Sequence, residues 1–166
     1  MERTGGPPDE ADPNLNDAPR GYGAAMSTTD PDCLFCKIVA GEIPATIIAS
    51  DERTVSFMDI NPATRGHALV VPRTHARDLL EIEPDDLAAV AQAGQRLARA
   101  ATQTLEADGI NLINSCGADA WQTVFHFHLH VVPRYEGDPL RLPWTPAPGD
   151  MDNIRATGQQ LKEHYS

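Results

Sequence analysis

The chain has 166 residues, a length that suits one ordinary domain and is short for two. Its net charge of -11 argues against a general nucleic-acid binder, because such proteins neutralise phosphates with clustered Lys and Arg. No apolar run approaches the roughly 20 residues of a membrane span, and the N-terminus lacks the apolar core of a secretory signal. We therefore expect a cytoplasmic protein that binds neither nucleic acid nor membranes.

The first part of the chain divides into a polar tail, a short helix and three strands. Residues 1–31 are rich in Pro, Gly, Asp and Asn without apolar periodicity, which predicts a disordered tail. The stretch PDCLFCKIVAGEIP then predicts a short helix that ends with Gly41 as its cap. The runs ATIIAS, TVSFMDI and GHALVVPR are rich in β-branched residues, and their short connections favour antiparallel strands.

The stretch EPDDLAAVAQAGQRLARAATQTLEADG predicts the one long helix. Pro84 suits its first position, Asp85 and Asp86 complement the positive end of the helix dipole, and Asp108 with Gly109 is expected to end it. An apolar stripe at helical spacing is expected to pack into the core. Its members are Leu87, Val90, Ala91, Gly94, Leu97, Ala98, Ala101 and Leu105.

Two further strands, INLINS and VFHFHLHVVPR, flank the loop CGADAWQT, and a weak helix over NIRATGQQLKEHYS ends the sequence. The order of helix, three strands, helix and two strands predicts an α+β fold. Its centre is expected to be a five-stranded antiparallel sheet with two main helices.

Three of the six histidines lie two residues apart, at His126, His128 and His130. Side chains alternate faces along a strand, so the imidazoles should share one face while the apolar residues between them pack under the long helix. Such a row could bracket a phosphate, two of its members could chelate a metal ion, or all three could be plain surface histidines. All three reaching one ion is geometrically difficult.

Imidazole chemistry suits nucleophilic attack on phosphorus. With an ordinary pKa near 6.5, a histidine is largely neutral at pH 7 and needs no strong base to act as a nucleophile. The N-phosphoryl adduct then breaks down readily when water attacks it. The row is therefore compatible with a covalent, two-step phosphoryl or nucleotidyl transfer, although it does not identify the substrate.

A second constellation is the C-x-x-C pair Cys33 and Cys36. In a reducing compartment this spacing indicates zinc or redox chemistry, and no thioredoxin-like βαβ unit precedes it. Two buried apolar cysteines are the plainer alternative. A closed zinc site needs two more ligands. His75 is the best isolated candidate, and His67 or the histidine row could supply the fourth.

The stretch QTVFHFHLHVV resembles the signature of the histidine triad (HIT) superfamily, in which three histidines alternate with apolar residues. CLFCKIVAGEIPATII, FMDINPATRGHALVVPRTH and NLINSCGADAWQTVFHFHLHVVPRY are similar to successive blocks of that family. The resemblance implies a HIT domain over residues 32–145 and a C-terminal tail over 146–166. It also implies a homodimer with a continuous ten-stranded sheet.

The resemblance assigns a role to each candidate site residue. It implies that His128 is the nucleophile, with its other ring nitrogen held by a backbone carbonyl, and that His130 and His67 hydrogen bond on the phosphate side. It further implies nucleotide contacts at Asp59 (ribose), at Asn114, Gln122 and Thr123 (α-phosphate), and at Phe35, Ile38, Phe57 and Ile60 (base). For the last four residues, ordinary core packing is nearly as good an explanation.

In zinc-containing branches of the family, the matching positions hold a structural zinc ion. These positions are Cys33, Cys36, His75 and His126. This chain departs from the family at Trp121, where a glycine usually precedes the glutamine of the loop. Trp144 resembles an aromatic residue that reaches the partner's site, and packing on its own sheet is the alternative.

The resemblance implies a nucleotide hydrolase or nucleotidyl transferase that cleaves at the α-phosphate of a purine nucleotide conjugate, such as a phosphoramidate. The alternatives are a dinucleoside polyphosphate hydrolase or phosphorylase, and a nucleotide-binding scaffold with incidental hydrolysis. A uridylyltransferase is less well supported, because that branch is larger and replaces the third histidine by Gln.

Overall fold

The computed structural model describes residues 29–165. The elements follow one another along the chain in this order: α1 (Leu34–Val39), β1 (Ile47–Ser50), β2 (Thr54–Met58), β3 (Ala68–Pro72), α2 (Pro84–Leu105), β4 (Gly109–Ile113), a 3-10 turn (Ala118–Ala120), β5 (Leu129–Arg134) and α3 (Met151–His164). The expected tail over residues 1–31 lies almost wholly outside the described residues. No helix among residues 29–165 is long and apolar enough to cross a membrane.

All five strands form one antiparallel sheet in the order β1-β2-β3-β5-β4. The predicted α+β fold with a five-stranded antiparallel sheet is therefore confirmed. β3 lies at its centre, and its side chains alternate between two cores. Leu69 and Val71 pack with Phe35 of α1, whereas Val70 packs with Val90 of α2.

Helix α2 covers the face of the sheet opposite α1. It begins as predicted, with Pro84 at its start and two aspartates in the first turn. It ends earlier than predicted, at Leu105, because Glu106 adopts the left-handed conformation with φ 56°. The predicted apolar stripe is wrong at Ala91, which is exposed, while Ala93 is buried in its place.

Helix α2 comes close to β5 at Gly94. A Cβ atom there would lie 2.8 Å from Leu129 Cδ2, so the absent side chain allows the helix to approach the start of β5. Leu129 and Val131 pack against α2 together with Phe127. Histidines and apolar residues alternate in this segment, and the apolar side chains pack under the long helix, as predicted.

Strand β5 is shorter than the predicted strand VFHFHLHVVPR. It begins at Leu129, so only His130 of the row lies in a strand. The pairing with β3 stops at Val70, opposite Leu129. Farther along β3, Pro72 has no N–H to donate, and its carbonyl accepts a hydrogen bond from His126 Nε2 instead. The backbone N–H of Phe127 donates to the carbonyl of Ala76.

The predicted terminal helix is observed as α3, displaced by two residues toward the N-terminus. Asp150 caps it by accepting a hydrogen bond from the backbone N–H of Asn153. Every described residue of α3 is exposed, including Ile154 and Leu161. The helix therefore contributes no side chain to the core built by residues 33–132.

Candidate active site and metal centre

The imidazoles of the histidine row lie on the α1 side of the sheet. Phe35 of α1 meets the His128 ring edge-on at 5.2 Å and the His126 ring at 6.0 Å, measured between centroids. The rings of His128 and His130 are 4.9 Å apart. The prediction that the three imidazoles share one face holds, although two of them precede the strand.

His128 is buried, and a backbone group determines which of its ring nitrogens carries the proton. Its Nδ1 lies 2.7 Å from the carbonyl oxygen of His126. A carbonyl can only accept, so Nδ1 carries the hydrogen and Nε2 keeps an available lone pair. Burial lowers the pKa of His128, against the opposing effects of this hydrogen bond and of Asp59. A neutral ring with a free Nε2 lone pair can attack an electrophile.

His67, His130 and Asp59 lie beside His128. His67 Nε2 is 2.9 Å from His130 Nδ1, and Asp59 Oδ2 is 3.6 Å from His67 Nε2. Burial is the main cause that lowers the pKa of His130 to about 4; the neighbouring His128 and His67 contribute to this shift, and Asp59 opposes it. His67 is more deeply buried, and both of its ring nitrogens contact protein atoms, since Nδ1 accepts from the backbone N–H of Ala63 at 3.0 Å. We refer to His67, His128 and His130 as the three-histidine site.

On the other side of His128 the structure brings together two thiols and two imidazoles, which we refer to as the Cys–His cluster: Cys33, Cys36, His75 and His126. Their potential ligand atoms all lie within 4.8 Å of one another. His126 Nδ1 is 3.4 Å from Cys33 Sγ and 3.5 Å from Cys36 Sγ. His75 Nδ1 is 3.4 Å from Cys36 Sγ.

The Cys–His cluster fits a tetrahedral metal ion. Ordinary Zn–S and Zn–N bond lengths place sulfur and nitrogen about 3.6 Å apart, close to the distances observed here. His126 Nε2–H donates to the carbonyl of Pro72, so its Nδ1 lone pair faces the sulfurs. Burial raises the pKa of the Cys36 thiol to about 11, and a bound cation would favour the thiolate instead. The cluster can therefore hold a metal ion.

The loop between β4 and β5 is held in place by Gln122. Its buried side-chain amide accepts from Gly117 N–H and donates to the carbonyls of Arg77 and Val124. Thr123, next in sequence, is exposed. Asn114 donates from Nδ2 to the carbonyl of His128 at 2.9 Å. Gln122 and Asn114 thus hold the backbone before and at His128 in place, and the predicted phosphate contacts of these residues stay predictions.

Trp121 directly follows the 3-10 turn, with φ 70°, and is 69% exposed. A left-handed conformation is uncommon for a bulky residue and strains the backbone by about 1 kcal/mol or more. A glycine, the residue expected here from the family pattern, adopts the same φ without a Cβ penalty. The loop therefore keeps a glycine-like backbone at Trp121.

The predicted base-contacting residues divide into two groups. Phe35 and Phe57 are buried in the α1-side core and Ile38 packs against it, with the Phe35 ring also touching His128. Ile60, in contrast, is 89% exposed. Trp144 is 63% exposed and lies on the irregular segment before α3, so most of its surface is left uncovered by its own chain.

Several backbone groups that orient the site could not be predicted from the residue pattern. They are the Ala63 N–H at His67, the Pro72 carbonyl at His126 and the Arg77 carbonyl at Gln122. A side-chain pattern carries no signal for such groups, because every residue has a carbonyl and nearly every residue has an N–H. Only the fold determines which of them faces an imidazole.

Comparison with known proteins identifies the family. The model of the HIT domain matches residues 40–137, more than half of the chain. An uncharacterised HIT-like protein of Mycobacterium tuberculosis is 44% identical over 135 residues, which cover 79% of this chain and 91% of that protein. The adenylylsulfatase HINT3 of Arabidopsis thaliana is 37% identical over 114 residues, covering 69% of this chain and 58% of that protein.

Solved structures agree in fold and sequence. A protein of Streptococcus mutans superposes with a TM-score of 0.79 at 36% identity, covering 90% of this chain and 99% of that one. A Zn-bound histidine triad family protein from Mycobacterium smegmatis gives 0.65 at 46% identity, covering 80% and 97%. A histidine triad nucleotide-binding protein from Candida albicans gives 0.70 at 30% identity, covering 80% and 96%.

The chain is an α+β protein with an antiparallel sheet that places three imidazoles beside a cluster able to hold a metal. It belongs to the HIT family, as the histidine row and the neighbouring sequence blocks predicted.

Proposed function

We propose that the protein is a nucleotide hydrolase or nucleotidyl transferase that cleaves at the α-phosphate of a purine nucleotide conjugate. His128 Nε2 attacks the α-phosphorus, a P–N bond forms, and the bond to the leaving group breaks with its electron pair departing on that group. Water or another acceptor then attacks the same phosphorus and releases His128. The leaving group takes up a proton, and the attacking water gives one up.

The observation that carries this proposal is the hydrogen bond from His128 Nδ1–H to the carbonyl of His126. It leaves a lone pair at Nε2 of a buried ring whose pKa is lowered by burial, so the nucleophile needs no further activation at pH 7. His130, 4.9 Å away between ring centroids, is well placed to hydrogen bond to a phosphate oxygen. We also propose that the Asp59 carboxylate accepts hydrogen bonds from the ribose hydroxyls.

We propose that the Cys–His cluster holds a structural zinc ion. The donor set, the distances and the orientation of His126 Nδ1 support zinc, and the solved relative from Mycobacterium smegmatis is Zn-bound. When bound, zinc would tie α1 to the segment that carries the nucleophile. The carbonyl of His126 would then be fixed where it accepts from His128, while His128 itself stays free of metal.

We further propose that the substrate is an adenylyl or guanylyl conjugate with a phosphoramidate or acidic leaving group. The printed activity of the Arabidopsis relative, adenylylsulfatase, makes adenylyl sulfate a rational member of the substrate panel. Backbone amides and neutral imidazoles would bind the phosphate, which suits a chain with a net charge of -11. We also propose a homodimer as the assembly, to be checked by light scattering.

The test compares the wild-type protein with His128→Ala and, as the matched control, His164→Ala on the exposed helix α3. Turnover of adenosine phosphoramidate, guanosine phosphoramidate and adenylyl sulfate is measured, and the nucleotidyl-enzyme is detected by intact mass at neutral pH. We expect His128→Ala to lose at least about a thousandfold in kcat and to form no adduct, whereas His164→Ala behaves as wild type. Undiminished turnover in His128→Ala would refute the mechanism.

A further inference from the structure

His67 is a buried histidine whose hydrogen-bond roles are determined by the main chain. The backbone N–H of Ala63 points at His67 Nδ1 over 3.0 Å. A backbone N–H can only donate, so Nδ1 must present a lone pair. A neutral imidazole carries one proton, and in His67 this proton is therefore on Nε2.

The proton on His67 Nε2 determines the tautomer of the next ring. His67 Nε2 lies 2.9 Å from His130 Nδ1, and only one hydrogen can occupy that contact. Because His67 supplies it, His130 Nδ1 accepts. A neutral His130 then carries its own hydrogen on Nε2, the ring nitrogen remote from His67.

The same three side chains, Asp59, His67 and His130, could also be read as a metal site, since their potential ligand atoms lie within 4.8 Å of one another. Ligation through His67 Nε2 would move its proton to Nδ1. Two N–H groups would then face each other across the 3.0 Å between Ala63 N and Nδ1. A protonated, cationic His67 meets the same conflict, so the neutral tautomer chain is the arrangement that satisfies every donor.

We propose that His67 is a positioning residue that acts through His130: it holds His130 in the tautomer whose Nε2–H donates to the α-phosphate, and it does not touch the phosphate itself. This inference deepens the proposed function and rests on it. The site then presents one lone pair, at His128 Nε2, and one fixed donor, at His130 Nε2. Two backbone groups, the carbonyl of His126 and the N–H of Ala63, select these opposite tautomers.

The chain allows a matched pair of substitutions at His67. In His67→Gln the side-chain amide reaches the position of Nε2 and can still donate to His130 Nδ1. In His67→Asn the amide reaches only the position of Nδ1, so it can meet Ala63 but not His130. Both substitutions are polar and neutral, and each can keep one of the two hydrogen bonds of His67: Gln keeps the bond to His130 that the proposal requires, and Asn keeps the bond to Ala63.

The experiment uses the full-length, zinc-supplemented protein with ¹⁵N-labelled histidine. Long-range ¹H–¹⁵N spectra report the tautomer of each imidazole, and the loss of signals in His130→Asn assigns His130. We expect His130 to be in the Nε2–H form in the wild type and in His67→Gln, and to become a mixture in His67→Asn. We expect kcat for the adenylyl conjugate to fall about tenfold or more in His67→Asn and less than about threefold in His67→Gln.

A wild-type His130 in the Nδ1–H form would overturn the proposal without any variant. An unchanged His130 tautomer in His67→Asn would also overturn it, and so would equal losses of kcat in the two variants. A merely structural role of His67 would not change the tautomer of His130 in one variant and leave it unchanged in the other. If the wild type turns over no nucleotide conjugate but the spectra are as expected, the proposed function fails while the tautomer assignment stands. The two failures are therefore distinguishable.

Discussion

The Cys–His cluster and the three-histidine site use imidazoles from one short segment, yet they can do different chemistry. In the cluster, His126 donates from Nε2 to the carbonyl of Pro72 and directs the Nδ1 lone pair at two sulfurs. In the three-histidine site, His128 donates from Nδ1 to the carbonyl of His126 and keeps its Nε2 lone pair. The comparison teaches that the nitrogen held by the backbone decides whether a histidine can be a metal ligand or a nucleophile.

The largest effect is expected from breaking the Cys–His cluster with Cys36→Ser. We expect zinc content to fall from about one ion per chain to near zero and the free energy of unfolding to fall by about 4 kcal/mol. A ligand that binds only the folded state stabilises it by about this amount when its free concentration is about a thousand times its Kd. Metal analysis and urea unfolding measure both quantities. Cys116→Ser, a substitution at a cysteine outside the cluster, is the control. Equal zinc in Cys36→Ser and the wild type would show that the cluster is not the metal site.

The three-histidine site should also be sensitive to acid, through His130. Burial lowers the pKa of His130 from 6.5 to about 4, so between these values the unfolded chain binds a proton that the folded chain does not. Stability from this group is complete above pH 6.5 and is lost as the pH falls toward 4, by up to about 3 kcal/mol. Urea unfolding of the zinc-loaded protein at pH 7.0 and at pH about 5 measures the slope.

His130→Asn keeps an acceptor for His67 Nε2 but cannot titrate. We expect its unfolding free energy to depend less steeply on pH over the same range, by up to about 1.4 kcal/mol per pH unit. An identical slope in the variant and the wild type would mean that His130 is not the titrating group.

Gly66 positions the three-histidine site directly before His67, and a side chain there should damage this site while sparing the Cys–His cluster. Its φ is 86°, and an added Cβ would clash with Leu105 Cδ1 and lie 3.2 Å from Pro133 Cγ. We expect Gly66→Ala to lose about 2 kcal/mol of stability and much of its turnover, with zinc content unchanged. The control Gly137→Ala has a similar φ of 77° and open space around it, so it should lose about 1 kcal/mol.

The smallest effect is expected at Trp121, in the loop that precedes the histidine row. Trp121→Gly should raise the free energy of unfolding by about 0.5 to 1 kcal/mol, because glycine adopts the left-handed conformation without strain and the exposed ring loses little packing. Trp121→Ala keeps the strained φ and should bring no gain. Thermal unfolding of the two variants checks this, and a loss of stability in Trp121→Gly would show that the indole packs usefully.

Much of the fold was accessible from the sequence, because hydrophobic periodicity and turn residues report directly on burial. The five strands, the start of α2 and the grouping of the four cluster residues were predicted. The end of α2 was wrong because Glu106, with no glycine signal, takes the left-handed conformation. The predicted start of β5 was wrong because the pairing of β5 with β3 stops before Pro72, which has no N–H to donate. A pattern within β5 cannot reveal a proline on the neighbouring strand.

The candidate site was predictable in its membership but not in its protonation. The histidine row and the C-x-x-C pair indicated which side chains gather, and the structure brings these side chains together. The tautomers depend on the Ala63 N–H and on the carbonyls of Pro72 and His126. All three are main-chain groups, so the pattern of side chains does not report them. The exposure of Ile60 was likewise beyond the pattern, since an apolar residue after a strand is expected to be buried.

His126 occupies an unusual position in any mutational scan of this protein. Its ring belongs to the Cys–His cluster, while its carbonyl orients His128. A substitution at this position removes the ring and retains the carbonyl. The variant would therefore lose activity only to the extent that the carbonyl moves once the ring no longer holds the backbone in place. A scan that scores activity alone would not separate this indirect loss from the loss of the His128 Nε2 lone pair. Pairing each activity score with a zinc measurement separates the two contributions.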